Sequence, residues 1–334
     1  MFGVIPTHAA DNARAKGADI FSTHHNVADT SLYERFARFR PVPVEAAVTD
    51  ERGLVENLPT KFKTLQNTAT GGVLDILPFN PDSYNLQPHD RLMQEQAARL
   101  QETDLPLDNV EVVDRIYLEG LRVHRTIFFN DLTDRQYSNR TREGQPDVSR
   151  CRLDMFNSVD KSWSFQLFSG AYRDLCRNTQ VFGGEKAYHQ IQKHTKNMNV
   201  GAAIVKGALG LSMWEGQLEY MQQLREKRLT MQGFNDFLIA SEFVKKDGKV
   251  AAANADKEGL HINQKKLATL LDLFTKETRE LGETMWAGYN ALTHWATHLP
   301  DANKGGRDEK KRFDRNRDIR ELTSGDLWQE MAAA

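Results

Sequence analysis

Residues 150 to 199 read RCRLDMFNSVDKSWSFQLFSGAYRDLCRNTQVFGGEKAYHQIQKHTKNMN. Leu153 and Met155 alternate with Arg152, Asp154 and Phe156, the period of a strand with two unlike faces. Asn157 to Ser162 supplies turn chemistry, and Trp163, Phe165 and Leu167 then resume the alternation, so a β-hairpin is predicted. Arg173 and Cys176 stand three apart, as on one face of a helix, so a short helix is expected over Gly170 to Asn178. A basic extended run carrying Lys193, His194 and Lys196 closes the stretch. Its density of Arg, Asn, His and aromatic side chains makes it the place to look for binding or chemistry.

Working outward, the segment from Val110 to Leu132 is rich in β-branched and aromatic residues, with Gly120 as a turn or bulge, and adds two strands. The expected fold class is therefore α+β: a central antiparallel, hairpin-rich sheet with packed helices, followed by a helical C-terminal region. Upstream, residues 1–109 read as an irregular arm in which Pro41 and Pro43 enforce extended chain and Asp90 to Leu100 forms a short helix. The β-hairpin and helix core spans residues 110–199, and residues 200–299 carry apolar side chains at helical spacing, for instance Leu267, Leu270, Leu271 and Phe274. Residues 300–334 read as a charged flexible linker, DANKGGRDEKKRFDRNRDIR, leading to a short helix presenting Leu327, Trp328 and Met331 to a protein partner.

Length of 334 residues with 40% hydrophobic and 9% aromatic content is that of a chain able to bury a core. The net charge of −2 argues against a globally basic coat, but Arg115 to Val200 holds fourteen Lys/Arg against nine Asp/Glu, and no acid falls between Lys186 and Lys206. That asymmetry can present a positive face to an anionic partner. Two cysteines are too few for a disulfide framework or a cysteine-based metal site, which places the chain in the reducing cytoplasm, that of the host cell if it is phage-encoded. No uninterrupted apolar stretch points to secretion or a membrane span.

The residues Asn157-Ser158, Asp160, Ser164 to Phe168, Gly170, Arg173, Cys176, Asn178 and His194-Thr195 together resemble a family of phage and plasmid-like proteins catalogued as a domain of unknown function. The family's pattern is an Asn-Ser turn, a small-residue strand, a Gly-x-x-Arg-x-x-Cys-x-Asn helix and an Arg/Lys-His-Thr strand. His124-Arg125 is similar to the family's earlier His-x-x-Arg strand, with the two residues adjacent here. The likeness covers roughly Leu121 to Lys196 and implies residence on phages, prophages and plasmids, with no settled activity. At the level of fold alone, a sheet followed by a helix with a basic face is similar to the single-strand annealing proteins related to Rad52.

The motifs of catalysis are incomplete. Gly183-Gly184-Glu185-Lys186 lacks the spacing and the hydroxyl of a phosphate loop, and His294 and His298 have helical i, i+4 spacing but Trp295 where a zinc protease needs Glu. Neither a catalytic residue, a cofactor nor a metal is assigned; a metal-dependent nuclease using Asp131, Asp154 or Asp160 is the enzymatic alternative. The expected function is single-stranded DNA binding by an oligomer, as in strand annealing or recombination, with Arg173, Arg177, Lys193 and Lys196 on phosphates and Trp163 and Tyr172 stacking on bases. His124, Arg125, Asn157, Ser158, Asn178 and His194 form a family-motif polar core. The competing expectation is a phage accessory or host-takeover factor that binds protein and no nucleic acid.

Overall fold

The computed structural model describes residues 20–35, 39–49, 55–73, 79–135, 146–174, 178–181, 189–245, 262–298 and 307–334, with single positions at 53, 140–141 and 144. In chain order the first elements are β1 (Ile20–His24), α1 (Ser31–Arg35), β2 (Phe39–Thr49), β3 (Val55–Asn67) and α2 (His89–Gln101). Then come β4 (Val110–Tyr117), β5 (Arg122–Thr133), β6 (Ser149–Ser158), β7 (Phe165–Arg173), β8 (Asn178–Val181) and β9 (His189–Gln192). The helices α3 (Val200–Ser212), α4 (Trp214–Glu226), α5 (Met231–Ala240), α6 (Gln264–Leu281), α7 (Met285–His298), α8 (Arg307–Ser324) and α9 (Asp326–Ala333) complete the chain.

The strands form a seven-stranded sheet in the order β1-β4-β5-β6-β7-β8, with β9 also paired to β7, and every pairing is antiparallel. The hairpin read from the sequence is β6 and β7, with Asp154 opposite Phe168 and Leu153 opposite Ser169. Period-two alternation sends Val112, Ile116, Val123, Ile127, Leu153, Met155, Phe165 and Leu167 to one face, where all are buried in the core. Helix α3 packs on that face against β6 and β7, and α2 packs on α3. The contact is close because α3 offers glycine: a Cβ built at Gly207 would lie 2.2 Å from a Leu167 methyl, and Ser169 Oγ donates to the Gly207 carbonyl at 2.9 Å. Gly207→Ala is accordingly expected to destabilise the fold by about 1–3 kcal/mol, the usual cost of overpacking, measured as a shift of the urea midpoint at constant slope.

Helices α4 to α7 extend the same core, and α7 and α8 meet β8. The two longest N-terminal strands, β2 and β3, stand apart from the sheet as a two-stranded ribbon. Its base is a small second core of Leu65, Phe79 and Val159, flanked by Phe39, Tyr84, Leu86 and Leu121.

Four expectations are corrected. Gly170 to Arg173 continue strand β7 and Asn178 opens β8, so no helix runs from Gly170 to Asn178; Ala171 and Arg173 keep the alternation of the buried face. The charge-dense segment expected as a linker is helical over Arg307–Ser324, pinned by the fully buried Ile319. The N-terminal arm contains a strand of the main sheet, and Pro41 and Pro43 sit in β2, where a two-stranded ribbon leaves one edge unpaired and tolerates missing donors. The terminal helix is docked rather than free: Trp328 is buried, donates to the Tyr220 hydroxyl at 2.8 Å and packs on Phe237, while Leu327 stays exposed and Met331 is half-buried.

Candidate functional site

The polar residues singled out in the sequence fall into two groups, one inside the molecule and one on its surface. Inside, Asp114 on β4 lies opposite Arg125 on β5, both facing the core. The guanidinium meets the carboxylate with two hydrogen bonds of 2.7 and 2.9 Å, and its remaining donors go to the carbonyls of Val27 at 3.1 Å and Asp29 at 3.0 Å. Tyr33 donates to Asp114 at 2.7 Å, and His24 Nε2 lies 2.9 Å from it. Burial opposes the Asp114 charge, but Arg125 and these donors more than offset it and hold the carboxyl down at about 2. Arg125 thus ties the segment between β1 and α1 to the sheet.

On the opposite sheet face, Asp154 is surrounded by Arg152, by His124 Nε2 at 2.7 Å and by Thr126, which donates at 2.8 Å. Burial works against its charge as well, and Arg152 with His124 brings the carboxyl down to about 2. The His124 ring stacks on Phe156 with centroids 4.0 Å apart, and the Arg150 guanidinium lies 4.8 Å from the Phe128 ring centroid. Asp154, weighed above as a nuclease ligand, is therefore committed to neighbouring side chains.

Arg173 is 1% exposed and pairs with Asp147, with Glu277 at 3.0 Å and with Asn290 at 3.3 Å, joining β7 to α6 and α7. Next to it, Arg225 donates to Asp134 at 2.7 Å and lies over Trp286, 4.3 Å from the ring centroid. Arg173 is thus no phosphate ligand, because its donors are taken up by buried carboxylates. Trp163 is 3% exposed, packed against Tyr117 and Phe156, so it offers no stacking surface. Tyr172 is half-buried with its ring edge-on to Phe128. Arg177 and Cys176 lie outside the described residues, and Asn178 is described only as a strand position.

The remaining motif residues are structural ties. Asn157 Nδ2 donates to the Gln87 carbonyl at 3.1 Å and to His89 Nδ1 at 2.9 Å, while His89 Nε2 meets the Gly120 carbonyl at 2.9 Å. Since a carbonyl only accepts, His89 carries its proton on Nε2 and is neutral, and burial pushes its pKa down to about 4. That bond also fixes a turn in which Leu118, Glu119 and Gly120 all have left-handed φ values of 51°, 54° and 96°. Ser158 Oγ donates to the Trp163 carbonyl at 3.1 Å, and His194 Nδ1 lies 3.3 Å from the Asn85 carbonyl. Burial pushes the Cys151 thiol up, which makes it a core residue rather than a nucleophile.

On the surface, lysines from three segments meet beside the ribbon base. Lys63 on β3 exchanges backbone hydrogen bonds with Phe79, both 2.8 Å, and the exposed Lys61 precedes it by two residues, within the bulge of β3. The Lys161 ammonium, from the turn between β6 and β7, lies 5.7 Å from the Phe79 ring and 5.6 Å from the Tyr84 ring. Tyr84 bridges to Thr195, placing the exposed Lys193 and Lys196 alongside. The rings of Phe79, Tyr84 and His194 follow one another at 5.2 and 5.4 Å. Asp160, the carboxylate of that turn, is already paired with Arg122 at 2.8 Å. Among the described residues no carboxylate lies within ion-pairing distance of Lys61, Lys63, Lys193 or Lys196.

Residues 118–320, the span from the strained turn before β5 to near the end of α8, match the model of a family described as a domain of unknown function (DUF932). The chain belongs to the DUF932 family. Comparison with curated proteins and with solved structures found no match. The matched span of this DUF932 protein holds Arg125, Asp154, Asn157, Arg173, Lys161, Lys193 and Lys196; Asp114, Tyr33, His89 and the ribbon lysines precede it. Among the described residues no group of three or more His, Cys, Asp or Glu is arranged to hold a metal ion, and no helix is long and apolar enough to cross a membrane. His294 and His298 have rings 4.8 Å apart, and His294 Nδ1 lies 3.4 Å from Glu277.

The sequence reading missed Asp114, Asp147, Glu277 and Lys161. For Asp114 a signal was present: a lone carboxylate among Val112, Val113 and Ile116 in a buried strand demands a cation, and Arg125 stands similarly alone between Val123 and Ile127. Lys161 sits in the hairpin turn, with positive φ of 63°, and nothing local marks its distant ring partners.

Proposed function

We propose that this protein binds single-stranded nucleic acid along the lysine row and acts without catalysis, as a DNA-metabolism protein of a phage or mobile element in the class of strand-pairing and recombination factors. The carrying observation is that Lys61, Lys63, Lys161, Lys193 and Lys196 come from three separate segments joined around the half-buried ring of Tyr84. Single strands are held by such a pairing of cations that follow the backbone with aromatic surfaces that accept bases. The half-buried Tyr84, beside Lys161, is the stacking group in place of Trp163, with Phe62, 41% exposed, carrying the Lys61 ammonium 5.7 Å from its ring. The phage and mobile-element setting rests on the resemblance of the motif from Asn157 to His194.

Fluorescence anisotropy with labelled oligonucleotides across a salt series tests this reading. Lys193→Ala with Lys196→Ala is expected to weaken binding at every sequence and to reduce the salt slope by about one unit per lost phosphate contact. Absence of measurable affinity at low salt would remove the proposal. One observation favours the alternative of a protein-interaction factor: Val205, Leu209 and Met213 form an exposed apolar row on and just after α3. Binding through that row would be insensitive to salt.

A further inference from the structure

A cavity of about 230 Å³ lies where the ribbon base meets the end of the sheet. Phe39, Leu86, Pro88, Ile116, Val123 and Val159 supply apolar walls, and Asp90 and Arg91 stand among its lining residues. Its volume is below the ~300–1,000 Å³ of sites for drug-sized ligands, so it suits one planar ring system rather than an extended molecule. The cavity is built from the same chain segments as the proposed binding edge. Leu86 follows two residues after Tyr84, Val159 precedes Lys161 by two residues, and Phe39 and Val159 belong to the small core at the ribbon base.

The polar groups of the lining differ in availability. Both nitrogens of His89 are engaged, by Gly120 and Asn157, and the Tyr33 hydroxyl is spent on Asp114. Asp90 and Arg91 have no ion-pair partner among the described residues, and Arg91 is exposed. A carboxylate only accepts hydrogen bonds, so Asp90 matches a group presenting N–H donors, while Arg91 matches a phosphate or a base oxygen.

We infer that this cavity receives one unstacked base of the strand carried on the lysine row and prefers a base whose edge presents two donors, as guanine does. The inference rests on the nucleic-acid reading above. Guanine offers a ring N–H and an exocyclic amino group to one carboxylate, thymine a single N–H flanked by two acceptors that a carboxylate repels. Reading an unstacked base on its pairing edge inside an apolar pocket is how sequence preference arises on single strands.

The test compares a short oligothymidine with the same oligomer carrying one central guanine, by anisotropy with the full chain at fixed low salt. The guanine oligomer is expected to bind about tenfold more tightly, the scale of one good bidentate base contact. Asp90→Ala removes the acceptor, and Leu86→Trp fills the cavity; each is expected to bring the ratio close to one. Salt-dependent binding with equal affinity for the two oligomers would overturn the base pocket and leave the lysine row standing. A guanine preference that survives both variants would also overturn it. If neither oligomer binds, the nucleic-acid reading and the pocket fall together.

Discussion

Arg173→Ala is expected to lower the unfolding free energy by about 3–5 kcal/mol, the cost of breaking a buried ion pair from one side. The guanidinium is the shared partner of Asp147 and Glu277, both less than a tenth exposed, and of Asn290. Removing it leaves Asp147 without its guanidinium and Glu277 with only His294, 3.4 Å away, while both carboxylates stay buried at the joint between β7, α6 and α7. Arg225 is nearby, but its own pKa is already lowered, first by burial, and its bond is to Asp134. It is poorly placed to take over. Chemical denaturation of the variant beside the Lys193→Ala, Lys196→Ala protein separates the two kinds of cation. The lysine variant should melt like the wild type, because exposed charges contribute little to folding. An Arg173→Ala protein as stable as the wild type would show that the network is not what holds the helices to the sheet.

The contrast between these cations explains how much of the molecule could be read from sequence. The β6–β7 hairpin was legible because its signal is local: alternation on both sides of Asn157 to Ser162 fixes register and turn together. The helices after Val200 were legible for the same reason, since Leu267, Leu270 and Phe274 of α6 all point into the core. The misread helix at Gly170 came from a spacing that fits two geometries. Arg173 is two residues from Ala171 on a strand face as well as three from Cys176, and only the pairing with Ser149 on β6 decides between them.

Composition misled at the C-terminus. A segment with little to bury still forms helix α8, where Arg317 stands near Asp314, Asp318 and Glu321, and the buried Ile319 with the partly buried Leu322 anchors it to the core. The candidate site was legible as residue types and not as places. Arg, Asn and His in a motif reveal that polar groups matter, but whether they face water or one another depends on strands distant in sequence. Asp114 and Arg125 are eleven residues apart, whereas Arg173 and Glu277 are more than a hundred apart. Lys193 and Lys196 could be placed correctly on the surface because no fold hides an unpaired ammonium cheaply.

Acidification is expected to destabilise the fold in two successive stages. The first belongs to His89, whose pKa burial pushes down to about 4 from an ordinary 6.5. The folded protein resists a proton that the unfolded chain accepts, so stability is intact above about pH 6.5 and falls as the pH drops toward 4, by about 3 kcal/mol in all. Burial also lowers His189 and His194, which steepens this stage. The second stage belongs to Asp114 and Asp154, both held at about 2. Their contribution is present above the ordinary carboxylate range and is lost as the pH falls from about 4 toward 2, by about 2 kcal/mol each. Asp134 and Asp174 move the other way, pushed up by burial, and offset part of that loss. Urea midpoints measured across the range resolve the stages, and His89→Leu assigns the first. Without the imidazole the protein is weaker at neutral pH, because the Gly120 carbonyl and Asn157 lose their partner, yet its stability falls less steeply between pH 6.5 and 4. An unchanged slope in that variant would mean that another group takes up the proton, and that the Asn157, His89 and Gly120 chain is not what keeps this histidine neutral.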